Sequence, residues 1–187
     1  MELIRAFIAI PIIDEIKERV REIQDELKGA GARVTWVDPK KLHLTLRFLG
    51  NVEKDRLERV FEQTTKVVKD YHPFKVSFSK IGCFPRPASP RVIWVGVESG
   101  RTHLIKLATN LSLRLQSIGF EEEKTFSPHL TLGRVKDGQN RDRLVRLISK
   151  RKEVFIGEME VGKVEVMRSE LTPAGPIYTI LKETYLF

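Results

Sequence analysis

Three scarcities in the sequence restrict what the protein can be. Cys83 is the only cysteine, which excludes an internal disulfide and a zinc cluster built on cysteines. No apolar run approaches the roughly 20 residues of a membrane-spanning helix, and residues 1–5 lack the basic start of a secretory signal. We therefore expect a cytoplasmic protein that does not associate with membranes. Histidine is scarce as well, with 4 copies among 187 residues.

Charge is the first positive feature of the sequence. Lys and Arg number 33 against 25 Asp and Glu, which gives a net charge of +8. Such an excess suits a polyanionic partner, because phosphates attract a basic surface without sequence preference. It also suits the charge-rich surface of a heat-adapted protein, so charge alone does not decide between the two. The hydrophobic fraction of 41% is sufficient for a packed core.

Hydrophobic periodicity predicts alternating strands and helices along the chain. Amphipathic helices are expected after the first, third, fifth and sixth of six strands, and two or three further strands are expected between residues 154 and 187. Gly50 and Asn51 should end the third strand, and the proline-rich residues 84–90 should form a stiff loop. The six strands are predicted at residues 3–10, 33–37, 42–49, 74–84, 91–98 and 128–135.

The tetrapeptide His-Leu-Thr-Leu occurs twice, at residues 43–46 and 129–132. Its surroundings repeat as well, because an Asp-Arg-Leu helix motif begins at residue 55 and again at residue 142. The preceding strands end at Ile10 and Val97, so corresponding features lie 86 or 87 residues apart. This spacing predicts an α+β protein made by internal duplication. We expect one bilobal domain over residues 1–187, in which an approximate two-fold axis brings both tetrapeptides to a shared cleft.

The repeated tetrapeptide offers paired chemistry. Side chains in a strand alternate between its faces, so each copy presents its His and Thr on one side and both Leu on the other. Of His43 and His129, one can take a proton when neutral while the other gives one when protonated. The hydroxyls of Thr45 and Thr131 can bind the oxygens of a phosphate. The residues alone do not say which histidine has which role, and this set of side chains is a poor zinc site, so we expect no metal.

At these residues the sequence resembles the 2H phosphoesterase superfamily, named for two His-x-Thr-x motifs, and within it the RNA 2′,3′-cyclic phosphodiesterase or 2′-5′ RNA ligase family. The resemblance implies two antiparallel β-sheets that face a central cleft, with the helices outside. It implies hydrolysis of an RNA 2′,3′-cyclic phosphate to a 2′-phosphomonoester without a metal or another cofactor. It assigns His43 as proton donor and His129 as proton acceptor. Further similar strings lie at residues 5–10, 84–87, 94–97, 128–134 and 169–171, and at Tyr178.

The same resemblance implies that 2′-5′ joining of tRNA half-molecules is detectable in vitro. The expected partner is an RNA with a 2′,3′-cyclic phosphate end, tRNA halves among them. The sequence shows no clear oligomerisation surface, so we expect a monomer. Two alternatives remain: a binding protein that holds RNA ends without turnover, and an enzyme that acts on the cyclic phosphate of another nucleotide.

Four further residues are candidates for substrate contacts. Arg134 lies five residues after the second motif histidine, so an unbroken strand turns it away from the cleft, whereas a bulge near Gly133 returns it to bind phosphate. Phe48 holds the equivalent place in the first lobe, where it either stacks on a base or packs in the core. Phe84 and Arg86 are expected to border the nucleotide site from the stiff loop.

Overall fold

The computed structural model describes residues 2–123, 125–173 and 175–187, and within them the chain forms nine β-strands, four α-helices and one short 3-10 helix. The strands are β1 (Leu3–Pro11), β2 (Val34–Trp36), β3 (His43–Glu53), β4 (Phe74–Arg86), β5 (Ser89–Val97), β6 (His129–Val135), β7 (Phe155–Val161), β8 (Lys163–Thr172) and β9 (Gly175–Tyr185). The helices are α1 (Asp14–Lys28), α2 (Lys54–Val68), α3 (Arg101–Gln116) and α4 (Arg141–Lys150), and the 3-10 helix spans Pro39–Lys41. None of the described helices is long and apolar enough to cross a membrane.

The strands form two sheets in which all neighbouring pairs are antiparallel. The four-stranded sheet A has the order β3-β1-β8-β9, and the five-stranded sheet B has the order β2-β6-β5-β4-β7. Helices α2 and α3 pack against sheet A, and α1 and α4 pack against sheet B. The motif strands β3 and β6 approach each other where the two sheets meet. The predicted α+β architecture with two antiparallel sheets is therefore confirmed.

The helices form where the sequence predicts them, because each has one apolar face. In α1 the buried side chains of Ile16, Val20, Ile23 and Leu27 recur every three or four residues, and charged side chains cover the rest of the surface. The other three helices show the same division between a buried face and an exposed face. Burying one such aliphatic side chain contributes about 1.5–3 kcal/mol, so these faces hold the helices on their sheets.

The prediction that Gly50 ends the third strand is wrong. Gly50 pairs with Ala6 next to a β-bulge, and β3 continues to Glu53. Its φ of +69° is in the left-handed region that glycine adopts without a steric penalty. Glycine here bends the strand instead of ending it.

The prediction of a stiff loop at the proline-rich residues 84–90 is also wrong. These residues are the end of the β4–β5 hairpin, in which Pro85 pairs with Pro90 and Arg86 pairs with Ser89 around a two-residue turn. Proline cannot donate a ladder hydrogen bond, so it is tolerated at such an end better than inside a sheet.

The two lobes exchange elements. Corresponding strand pairs lie in different sheets, β1 with β3 in sheet A and β5 with β6 in sheet B. However, α1 follows β1 in the chain and packs against β7 of sheet B, whereas α3 follows β5 and packs against β3 of sheet A. Strand β2 also crosses over and pairs with β6. Each sheet with its helices therefore combines elements from both sequence repeats.

The β8–β9 hairpin leaves sheet A at its far end. Strand β1 pairs with β8 only as far as Arg168, whereas β8 and β9 stay paired up to their turn. We call residues 169–178 the hairpin end; it includes Ala174, which lies outside the described residues. The Lys41 ammonium donates a hydrogen bond of 2.7 Å to the Pro176 carbonyl, so the hairpin end lies against the start of β3. It thus borders the first motif.

Candidate active site

Both motifs begin a strand and both end in a bulge. His43 is the first residue of β3 and His129 is the first residue of β6, and in each motif the His and Thr are partly exposed while both Leu are buried. The strand pairing skips Leu46 in β3 and Leu132 in β6, which places a β-bulge at the same motif position twice. We call the two sheet surfaces that carry the His and Thr side chains the cleft faces.

Each motif histidine is oriented by a backbone carbonyl two residues upstream. Nδ1 of His43 lies 2.9 Å from the Lys41 carbonyl oxygen, and Nδ1 of His129 lies 2.6 Å from the Ser127 carbonyl oxygen. A carbonyl only accepts hydrogen bonds, so Nδ1 must carry the hydrogen and donate it. Nε2 of each ring is then left for a substrate, as an acceptor when neutral and a donor when protonated. Both rings are prepared in the same way for proton transfer.

His43 is packed among aromatic rings. Its ring centroid lies 4.7 Å from that of Phe7 and 5.2 Å from that of Tyr178, which meets it edge-on at 89°. Burial among these rings lowers the pKa of His43 below its ordinary value of 6.5, and the hydrogen bond to the Lys41 carbonyl opposes the shift only in part. The free protein therefore favours a neutral His43 near pH 7.

Aromatic side chains also line the cleft beside His129. Phe84 meets the His129 ring edge-on at a centroid distance of 5.3 Å and packs against Trp94 at 5.1 Å. Trp94 pairs with Thr131 across the strands, so its side chain lies on the cleft face. Its ring covers Gly82, where an added Cβ would lie 2.3 Å from a ring carbon. Only glycine fits beneath this ring. Phe84, which packs against Trp94, lies beside the motif histidine His129.

The bulges decide where Arg134 and Phe48 point. Cross-strand partners share a face of the sheet, and Arg134 pairs with Val92, two residues from the cleft-facing Trp94. Arg134 therefore lies on the cleft face, as the bulge alternative predicts. Phe48 pairs with Phe7 of the aromatic group around the first histidine and is 62% exposed. The alternative that packs Phe48 in the core is wrong, because its ring faces the cleft.

The remaining candidates lie further from the motifs. Arg86 is exposed at the end of the β4–β5 hairpin. Of the other two histidines, His72 contacts the Phe187 carbonyl and His103 of α3 stacks on Phe74, so neither enters the cleft. In the part of the chain that the structure describes, no three His, Cys, Asp or Glu side chains come together as a metal site requires.

Sequence reasoning missed the side chains that support the two motifs. Phe7, Trp94 and Tyr178 form walls of the cleft. They belong to the strings that resemble the family, but nothing in the sequence assigned them a role. Gln24 of α1 is buried, and its amide donates a hydrogen bond of 2.9 Å to the carbonyl of Leu132 at the second bulge. A glutamine on the apolar face of a helix was the one available signal, because a buried polar side chain requires a partner.

A duplicated α+β fold that carries a His-x-Thr motif on each of two cleft faces is the fold of the two-histidine phosphoesterases. The family described as LigT like Phosphoesterase matches residues 10–94 and again residues 95–178. The chain belongs to this family and is an enzyme of the phosphoesterase class. The double match confirms the internal duplication and the resemblance to the 2H superfamily.

The chain is similar to curated and solved proteins over almost its whole length. It is 43% identical over 176 residues to a Methanothermobacter thermautotrophicus protein named RNA 2′,3′-cyclic phosphodiesterase, covering 94% of this chain and 95% of that one. An Archaeoglobus fulgidus protein of the same name is 40% identical over 178 residues, with coverage of 95% and 98%. A crystal structure from Thermus thermophilus has a TM-score of 0.81 at 28% identity, covering 97% of both chains. The structure of E. coli LigT complexed with 3′-AMP has a TM-score of 0.78 at 25% identity and covers 99% of both.

Proposed function

We propose that this chain opens RNA 2′,3′-cyclic phosphate ends to 2′-phosphomonoesters by a metal-independent reaction between His43 and His129. The observation that carries the proposal is the matched pair of imidazoles on the cleft faces. Each donates from Nδ1 to a carbonyl, and among the described residues neither Nε2 has a hydrogen-bond partner. The names of the two relatives and the 3′-AMP in the E. coli LigT structure support the substrate class. The net charge of +8 suits RNA as the partner.

The reaction requires one proton to be removed and one to be supplied. His129 takes a proton from water as the water oxygen attacks phosphorus, and His43 protonates the 3′ oxygen as its bond to phosphorus breaks. The 2′ oxygen keeps the phosphate. Thr45 and Thr131 donate hydrogen bonds to the non-bridging oxygens, where negative charge grows in the five-coordinate transition state. Arg134 adds a positive charge on the cleft face beside them.

The pKa of His43 bears on this order of acid and base. The family resemblance makes His43 the proton donor, whereas its burial lowers its pKa and favours the neutral ring in the free protein. A phosphate anion beside the ring has the opposite effect, because an opposite charge within about 4–6 Å favours the protonated form. We infer that His43 acquires its proton when the substrate binds.

The test is to incubate the protein, in EDTA, with a short RNA that ends in a 2′,3′-cyclic phosphate. We expect conversion to the 2′-phosphomonoester, followed by phosphorus NMR. General acid–base catalysis contributes about 10²–10⁴-fold each, so His43→Ala and His129→Ala should each slow turnover by at least that range. His103→Ala is the matched control, because His103 lies on an outer helix, and it should keep the wild-type rate.

Three outcomes would contradict parts of this proposal. An end that stays cyclic while the RNA remains bound indicates a binding protein. Loss of turnover in EDTA with recovery on adding metal refutes the metal-free mechanism. A substrate with sulfur in place of the 3′ oxygen needs no proton on its leaving group, so it should rescue His43→Ala but not His129→Ala. If the sulfur substrate rescued His129→Ala but not His43→Ala, His129 would be the proton donor and His43 the proton acceptor.

The same site can also join RNA ends, because the 5′-hydroxyl of a second RNA can attack phosphorus in place of water. His129 would take the proton of that hydroxyl, the 5′ oxygen would bond to phosphorus, and the 3′ oxygen would leave with a proton from His43. A 2′,3′-cyclic phosphate end and a 5′-hydroxyl end, as in two tRNA halves, would then be joined by a 2′-5′ linkage. We expect this joined product at high concentrations of both ends, detectable as a longer RNA on a denaturing gel. His43→Ala and His129→Ala should abolish it together with hydrolysis.

A further inference from the structure

The positive charge of the chain is concentrated at α4. Residues 141–152, which are α4 and the two residues after it, hold six basic side chains and one acidic side chain and therefore a net charge of +5. The whole chain carries +8, so this short stretch supplies more than half of the excess. We call residues 141–152 the basic segment. All of its basic side chains are exposed.

Most charges of the basic segment lack a carboxylate partner, in contrast to those of α1. Every basic side chain of α1 lies within 3.2 Å of a carboxylate three residues away. In the basic segment, Arg151 pairs with Glu26 of α1, and Arg141 approaches Asp142 at 4.0 Å. The other four basic side chains form no ion pair within the described ranges: Arg143, Arg146, Lys150 and Lys152.

Three of these unpaired side chains form a row along one face of α4. Arg143, Arg146 and Lys150 are spaced by three and four residues, so they are neighbours on the helix surface. The row lies opposite the apolar face, on which Leu144 and Ile148 are buried. Like charges at this spacing repel one another. The phosphates of an RNA backbone would neutralise them, so the row fits a polyanionic strand.

The basic segment ends beside the strand that leads to the second motif histidine. The Lys152 carbonyl accepts a hydrogen bond of 3.3 Å from the amide of Ile81 in β4. Three residues further along β4, Phe84 lies against the ring of His129. A strand advances about 3.3 Å per residue, so about 10 Å of β4 separates the end of the basic segment from the residue beside this histidine.

The edge of β4 between these two points is open to a ligand. Strand β7 pairs with β4 only from Phe74 to Ser79. From Ile81 to Arg86, β4 has no strand partner on that side among the described residues, and the Arg86 side chain is exposed. An RNA strand can therefore leave the cleft over this edge and reach α4 without displacing an element of the fold.

We propose that the basic segment binds the backbone of the RNA on the 5′ side of the end that enters the cleft. This inference rests on the proposed function, because that function places the terminal phosphate between the two motif histidines. Contacts to phosphates give affinity without sequence preference. The surface thus selects RNA strands long enough to reach α4, whatever their sequence, over short cyclic nucleotides.

Substrate length separates the basic segment from the cleft. We compare an RNA of about 16 nucleotides with a dinucleotide, both with a 2′,3′-cyclic phosphate end. The triple variant Arg143→Gln, Arg146→Gln and Lys150→Gln should raise KM for the long RNA about tenfold and leave its kcat unchanged. For the dinucleotide, which does not reach α4, both constants should keep their wild-type values. A wild-type KM for the long RNA in this variant overturns the proposal.

The matched control removes three charges from α3 by Arg101→Gln, Lys106→Gln and Arg114→Gln. These side chains are also exposed and form no ion pair in the part of the chain that the structure describes. The α3 variant should keep the wild-type KM for both RNAs. Equal increases in KM in the two triple variants would show that net charge alone attracts the RNA, and the proposal would fail.

Binding without turnover distinguishes this inference from the proposed function. Fluorescence anisotropy measures the affinity for a long RNA that has no cyclic end, at several salt concentrations. Each lost phosphate contact lowers the slope of log K against log salt by about 0.7, so the α4 variant should lower it by about 2. If the α4 variant shows this loss while no cyclic end is opened by the wild type, the basic segment stands and the proposed function fails. A wild-type slope in the α4 variant overturns the inference.

Discussion

At the scale of single residues, the two motif histidines are held alike but surrounded differently. Both donate from Nδ1 to a carbonyl two residues upstream. After the bulges, however, equivalent positions hold different residues: Phe48 pairs with Phe7 in the first repeat, whereas Arg134 pairs with Val92 in the second. Both motifs therefore kept the same histidine after the duplication. The residues beside the motifs differ between the repeats, so each histidine has its own environment. Two different roles in one reaction require such a difference.

The enclosure of His43 predicts a particular pH dependence. If His43 donates the proton, kcat/KM falls as pH rises through its pKa in the free enzyme. Burial lowers that pKa below 6.5, so the falling limb of kcat/KM should lie below pH 6.5. The falling limb of the kcat profile should lie at higher pH than that of the kcat/KM profile, because the bound phosphate favours the protonated form of His43. Phe7→Ala reduces the burial and should move the kcat/KM limb upward, as measured by pH–rate profiles.

Phe84→Ala is the control for this pH experiment. Phe84 contacts His129 and not the enclosed ring of His43, so the falling limb should stay in place when it is removed. If Phe7→Ala moved the rising limb instead, His43 would be the base, because a base must be neutral and its limb rises with pH.

Gly82 allows a second prediction at this scale. A Cβ at this position would lie 2.3 Å from the Trp94 ring, so Gly82→Ala must displace the ring and with it Phe84 beside His129. Overpacking of this kind costs about 1–3 kcal/mol, and we expect a lower Tm together with a lower kcat/KM. Gly138→Ala is the matched control, since a Cβ there has no neighbour within 4 Å. Equal losses in both variants would refute the role of the ring.

At the scale of elements, a hydrogen bond from Lys41 holds the hairpin end against the first motif. That residue serves the motif twice, because its ammonium binds the Pro176 carbonyl and its own carbonyl orients His43. Lys41→Met should remove only the first contact, which as a charged hydrogen bond contributes about 1.5–3 kcal/mol. We expect faster amide exchange at Gly175, Ile177 and Tyr178 and a higher KM for RNA. Hydrogen exchange and steady-state kinetics measure the two effects.

Lys40→Met provides the comparison for the Lys41 variant. Lys40 is the exposed neighbour, so this change removes the same charge without touching the hairpin end. If both variants raised KM equally, the effect would come from net charge. If only Lys41→Met accelerated exchange while KM stayed unchanged, the hairpin end would have no part in substrate binding.

The elements show which features a sequence can predict. Strands and helices were found where apolar residues recur at a fixed period, because local burial fixes them. The end of β3 could not be predicted in this way. Glycine commonly ends a strand, but Gly50 lies next to a β-bulge and the strand continues past it. The bulges at Leu46 and Leu132 shift the alternation of side chains, so Phe48 and Arg134 face the cleft. The alternation of an unbroken strand predicts the opposite face, so the sequence could offer the cleft only as one of two alternatives. Contacts made by a bent hairpin, such as those of Tyr178, leave no periodic signal.

At the scale of the whole molecule, the exchange of elements joins the two repeats into one folding unit. The repeat suggested two lobes, each built from one half of the chain. Nothing local determines which sheet a helix covers, so the packing of α1 on sheet B and α3 on sheet A could not be predicted. The exchange also has a functional consequence, since Gln24 of α1 bonds the carbonyl of Leu132 and so supports the second motif from the first repeat.

This exchange predicts that neither part of the chain folds alone. A fragment of residues 2–72 contains β1 and β3 but lacks β8 and β9, the other strands of their sheet. It also lacks β7, against which α1 packs, and β6, with which β2 pairs. Its apolar faces would remain exposed, and burial of those faces is the main stabilising contribution. We expect residues 2–72 and residues 73–187 to lack a cooperative thermal transition separately and to regain it when mixed, as circular dichroism would show. A cooperative transition in residues 2–72 alone would mean that the first repeat is an independent lobe, and the exchanged contacts would then be dispensable for folding.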